Sequence, residues 1–133
     1  MSNSQPIGVA YSDPEFTTCY ASQEIGYSTA AQGTVTQATS KSTGVTLNKS
    51  AGRITMNGAL LAAGAAASFT LTNSLISVND TIIVCVSGGG TAAAYTAYVS
   101  SLAAGSAVLT LRNLSAGDLS EAVIVNYAII HGQ

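Results

Sequence analysis

From Gly33 onward the chain is a succession of short apolar runs punctuated by Gly, Ser, Thr and Asn, the texture of strands joined by turns. Residues 68–72 are the plainest case: Phe69 and Leu71 fall on one face, Ser68, Thr70 and Thr72 on the other. Residues 53–56 repeat the pattern with Ile54 and Met56 inward, and residues 94–101 set Tyr95, Ala97 and Val99 against Thr96, Tyr98 and Ser100. Leu109 and Leu111 alternate with Thr110 and Arg112, which predicts one buried and one wet face. Shorter strands are expected over 34–39 and 45–47. The segment 58–68 has good helix formers, but Gly58 and Gly64 break it, so it reads as a connection. Leu75, Ile76 and Val78 are expected to dip from a loop toward the core, and Gly88, Gly89 and Gly90 to make a hairpin turn.

Two runs do not alternate. Residues 81–86 (TIIVCV) and 123–130 (VIVNYAII) are apolar almost throughout, so side chains project from both faces and both need cover. One side is the domain core and the other a second layer or another subunit. On this reading Ile82, Val84, Ile124 and Ile130 form an oligomer interface, and Cys85 is a small core residue. About eight strands at this spacing predict an all-β fold, a two-sheet antiparallel β-sandwich with a jelly roll as one possibility.

Residues 1–32 break the pattern. They hold both prolines, three of the six acidic residues and three of the six tyrosines, with no sustained period. Disordered tails are poor in aromatics, so this segment reads as an extended arm that orders on a partner through Tyr11, Phe16, Tyr20, Ile25 and Tyr27. The domain is then residues 33–133.

Composition narrows the choice of partners. Only 8% of the 133 residues are charged, and four Lys and Arg face six Asp and Glu. No basic patch suggests nucleic acid, no polybasic anchor or long apolar span suggests a membrane, and a polar start without a leader predicts synthesis in the cytosol. A surface so poor in charge has little to oppose self-association.

The chemistry-bearing residues are few. The one histidine, His131, needs a buried carboxylate to serve in a Ser-His-Asp device. The two cysteines, Cys19 and Cys85, lie far apart and predict neither a disulfide nor a metal site. Asp80, Asp118 and Glu121 are the carboxylates whose convergence would suggest glycoside hydrolysis. The three sequons at Asn48, Asn79 and Asn113 read as accidents of a Ser/Thr/Asn-rich chain. The expectation is a non-enzymatic protein without cofactor.

Five stretches carry a resemblance: GTVTQATSKSTGVTLN (33–48), GRITMN (52–57), SFTLTNS (68–74), the strand-GGG-strand unit (81–99) and LRNLSAGDLSEAVIVNYAII (111–130). Together they resemble a β-rich module of virion structural proteins in tailed bacteriophages and prophages. The resemblance implies a capsid decoration, or cement, protein on the outside of the head, assembled in the host cytoplasm, with the major capsid protein as partner; the local three-fold positions of such a lattice favour a homotrimer over a dimer. The alternative it implies is a receptor-binding domain of a tail fibre or spike. It supplies no catalytic residues and leaves the arm uncovered.

Overall fold

The computed structural model describes residues 15–132. After a 3-10 turn at Thr29–Ala31, eight strands follow: β1 (Gln32–Thr36), β2 (Val45–Thr46), β3 (Ala51–Thr55), β4 (Ala66–Thr72), β5 (Thr81–Gly88), β6 (Tyr95–Ala103), β7 (Ser106–Asn113) and β8 (Ile124–Ile130). They form two four-stranded sheets. Sheet A has the order β1-β3-β8-β5 and sheet B the order β2-β4-β7-β6. The predicted sandwich and its strand count are as observed.

The chain changes sheet at almost every connection, and β6–β7 is the one pair of consecutive strands that lies together in a sheet. Alternation between sheets brings every second strand back in the same direction. The edge pairs β1–β3 and β2–β4 are therefore parallel, while the remaining pairs are antiparallel. The sheets are thus mixed, unlike a jelly roll, whose sheets are antiparallel. For the same reason the glycine run after β5 is no hairpin, because it carries the chain from sheet A to sheet B. There Gly89 has φ +74°, and a Cβ on it would sit 2.2 Å from the Ala122 carbonyl oxygen, so only glycine fits against the start of β8.

The core lies between the inner faces. Ile54, Leu71, Leu109, Leu111, Val123, Val125 and Ile129 are essentially sealed from water, with Met56, Phe69 and Tyr127 filling the space between them. Each such side chain contributes on the order of 1.5–3 kcal/mol of burial. Gly52 on β3 is flat because the Tyr127 ring lies against it, where a Cβ would come within 2.5 Å. The Tyr127 hydroxyl accepts from Asn73 Nδ2 at 3.2 Å and lies 3.0 Å from the Lys49 carbonyl oxygen, an acceptor for its proton. Burial pushes this phenol up to about 12.

Of the three apolar loop residues expected to reach the core, Ile76 does, whereas Leu75 and Val78 remain exposed. Thr110, expected on the wet face, is buried, because β7 is a central strand and its hydroxyl is enclosed between Ser68 of β4 and Ser100 of β6.

Candidate interaction surface

Polar networks close both ends of the sandwich, and they show what the chemistry-bearing residues do. At the end where β8 begins, Lys41 is buried, with its ammonium donating to the Asn57 and Glu121 carbonyl oxygens at 2.5 and 2.6 Å. Desolvation lowers its pKa, and the nearby Glu121 opposes that shift. Gln37 braces the same turn, donating to the Lys41 and Thr43 carbonyls and accepting from the Asn57 N–H. The Glu121 carboxylate accepts from the Thr91 N–H and hydroxyl and from the Tyr95 hydroxyl, at 2.8–3.0 Å. Those bonds, with the Thr91 N–H foremost, hold it below the ordinary carboxylate range. Burial, with the bond to Glu121, raises Tyr95 to about 12. Every one of these groups is committed to joining loops.

At the other end, where β8 finishes, Asp80 has a fully covered side chain. It accepts from Ser77 N–H and hydroxyl and from Gly132 N–H, and His131 Nδ1 lies 3.1 Å from its Oδ1. The buried carboxylate that a catalytic histidine needs is therefore present. The serine, however, donates to the carboxylate and not to the imidazole, so this is a latch for the chain after β8 rather than a nucleophile device. The Ser77 N–H is the main cause of the low Asp80 pKa, about 2. Asp118 accepts from the Ala63 N–H. The three carboxylates do not converge, since Asp80 is separated from the loop of Asp118 and Glu121 by the whole length of the β5–β8 pair, about 20 Å of strand. Asn113 is buried and donates to the Leu61, Ala62 and Gly117 carbonyls, which removes that sequon from the surface. Among the described residues no three His, Cys, Asp or Glu group as metal ligands, and no helix is long and apolar enough to cross a membrane.

Exposed apolar side chains on the outer face of sheet A and on the arm are the next feature. Strand parity decides which side chains reach that face. On β8, Val125, Tyr127 and Ile129 point inward, so Ile124, Asn126, Ala128 and Ile130 point out. On β5 the phase is set by Thr81 and Ser87, which are exposed. Ile82 is therefore buried, Val84 packs against the core, and Ile83 and Cys85 face out. Of the four residues expected at an oligomer interface, Ile124 and Ile130 lie on the outer face, while Ile82 is buried and Val84 packs against the core; Ile83 and Cys85 face out on β5.

Register places Thr34, Arg53, Asn126 and Cys85 in one outward row across all four strands. The next row is Gln32, Ala51, Ala128 and Ile83. Over β1, β3 and β8 the small side chains leave a groove of about 430 Å³, lined by Thr29, Gln32, Thr34, Ala51, Arg53 and Asn126 among others. Ile83 and Ile130, each more than half exposed, stand beside it on β5 and β8.

The described part of the arm, residues 15–28, contains no strand or helix and is exposed throughout. Phe16 is 51%, Tyr20 92% and Ile25 88% exposed, while Tyr27 is partly covered because its hydroxyl donates to the Ile129 carbonyl. Gln32 Nε2 donates back to the Tyr27 carbonyl and Lys49 Nζ to that of Ala30, so among the described residues the arm is bonded to the domain at 27–32. Tyr11 lies outside the described residues. Cys19 and Cys85 are both exposed free thiols. No protein-family model, curated protein or solved structure matches the chain.

Proposed function

We propose that this chain is a structural attachment protein of a tailed-phage virion, a decoration protein that sits on the outside of the head and works by binding rather than by catalysis. The observation that carries the reading is the arm: Phe16, Tyr20 and Ile25 stand in water, and among the described residues the arm is bonded to the domain at 27–32. Burying each would contribute on the order of 1.5–3 kcal/mol before the cost of ordering the backbone, about 1–2 kcal/mol per residue. Such a segment is worth ordering only against a surface that meets many of its side chains at once. The resemblance of residues 33–130 to phage virion modules supplies the setting.

The test is removal of residues 1–26, which keeps Tyr27 and its bond to Ile129. The truncated protein should retain the circular dichroism of the full chain and fail to bind heads that lack the protein. Wild-type occupancy by the truncated form would overturn the reading. The receptor-binding alternative has its own observation, the ring of Tyr98, 45% exposed on a face rich in Ser and Thr hydroxyls, as a pyranose-stacking surface requires. Copy number separates the two, because decoration proteins occur in hundreds per virion and fibres in a few sets.

A further inference from the structure

We infer that the groove on sheet A is the seat for the arm of a second copy of this chain, with Glu24 of one copy paired to Arg53 of the next. The inference rests on the attachment role proposed for the arm and names its partner.

Charge is the first argument. No Lys or Arg precedes Lys41, whereas Asp13, Glu15 and Glu24 make the arm wholly acidic. Most charges of the domain are used internally: Lys41, Asp80, Asp118 and Glu121 all bind loops. Arg53 is different. It is exposed in the middle of the outward row of sheet A, with no carboxylate of the described residues within ion-pair distance. Asn126, Gln32 and Thr34 beside it add amide and hydroxyl donors but no acid. A carboxylate next to Ile25 and near Tyr20 is what this groove is furnished to receive.

Apolar surface is the second. The arm offers Tyr20 and Ile25, and the strip next to the groove offers Ile83, Ala128 and Ile130. Reach is the third. Cys85 lies two strands from Arg53 in the same row, about 10 Å away, and the five residue steps from Glu24 to Cys19 span up to about 17 Å when extended. With Glu24 on Arg53, Cys19 has chain enough to come beside Cys85. The occupant is a second copy because each copy has both parts unsatisfied: its arm stands in water while its own groove is open. Giving one arm and receiving another satisfies both, and when the rotation closes the result is a symmetric ring.

Two measurements on the full-length protein test this. In sedimentation equilibrium, Arg53→Glu and Glu24→Lys should each weaken self-association about three- to tenfold, and the double variant should restore it. Treatment with a short bis-maleimide should join Cys19 of one chain to Cys85 of another, identified by peptide mass and abolished by Cys85→Ser. A folded monomer at micromolar concentration, charge reversals without effect, or a Cys19–Cys85 link within one chain would overturn the inference. Head occupancy, measured in parallel on the unmodified protein, tells its failure from that of the decoration reading. Arm exchange with bare heads refutes decoration alone, and decorated heads with a monomeric protein refute arm exchange alone.

Discussion

The outer faces of the two sheets are built from similar strands and finished differently. On sheet B, Ser68 and Thr110 share a hydrogen bond of 2.8 Å, Thr110 bonds in turn to Ser100, and Thr70, Thr72 and Thr96 continue the hydroxyl surface. Threonine gives a strand the same β-branched stiffness as isoleucine while leaving water a partner. On sheet A the corresponding outward positions hold Ile83, Ile124, Ala128 and Ile130. Strand propensity cannot explain that choice, since threonine would satisfy it as well. Sheet B turns mostly hydroxyls to water around Tyr98, whereas sheet A turns isoleucines to it between polar positions such as Arg53 and Asn126.

The sharpest way to break this comparison uses two adjacent isoleucines on β8. Ile129 is sealed in the core and Ile130 is 54% exposed. Ile129→Ala should cost about 2–5 kcal/mol of folding stability in denaturant unfolding, through lost burial and the cavity left behind. Ile130→Ala should cost less than about 0.5 kcal/mol at concentrations too low for association, yet weaken association at higher ones. Equal costs in the dilute monomer would mean that the outer position is part of the fold.

The same pair shows what could be read from the chain. Where polar and apolar residues alternate, as over 66–72, the inner and outer sets follow directly, and the buried Phe69 and Leu71 are the ones expected. In TIIVCV the alternation is lost, so the run announces two covered faces without saying which residue belongs to which. That ambiguity put Ile82 and Val84 outside and Cys85 inside. The phase was nevertheless marked, by Thr81 at one end and Ser87 at the other, both exposed and both odd-numbered. Strand partners were beyond reach, because periodicity fixes faces and not neighbours; hence the parallel edge pairs came only from the structure. The burial of Lys41 was equally hidden, for it depends on carbonyls 16 and 80 residues away. Glu121, weighed from the sequence for its convergence with Asp80 and Asp118, is the acceptor that gathers Thr91 and Tyr95.

Sheet B offers the next largest effect. Thr110→Val keeps the shape of the side chain but removes the hydroxyl that bonds the exposed Ser68 and Ser100, which water can then satisfy. A loss of about 0.5–1.5 kcal/mol is expected in thermal or denaturant unfolding. Association should not change, because this face takes no part in it.

Acid should act on the β5–β8 side of sheet A more than on β4 and β7 of sheet B. Asp80 has its pKa lowered to about 2, so its contribution is complete above the ordinary carboxylate pKa near 4 and is lost as pH falls through 2. Protonation releases the latch on His131 and Gly132 just beyond β8. Between pH 4 and 2, hydrogen exchange should quicken at the end of β8 and the start of β5 more than in β4 or β7. Uniform quickening would assign the acid response to the whole fold.

The smallest expected effect is that of salt. The contact proposed on sheet A contains one exposed ion pair in an otherwise apolar and hydrogen-bonded surface, and such a pair is worth about 0.2–1 kcal/mol. Raising salt from about 0.1 to 1 M shortens the screening length from roughly 10 to 3 Å, which removes most of that and leaves the apolar part intact. Self-association should therefore weaken by no more than about fivefold, while Ile83→Ser or Ile130→Ser weakens it more at either salt concentration. If salt dissociated the assembly and the isoleucine variants did not, the apolar strip would be incidental, and the difference between the two faces would come down to Arg53.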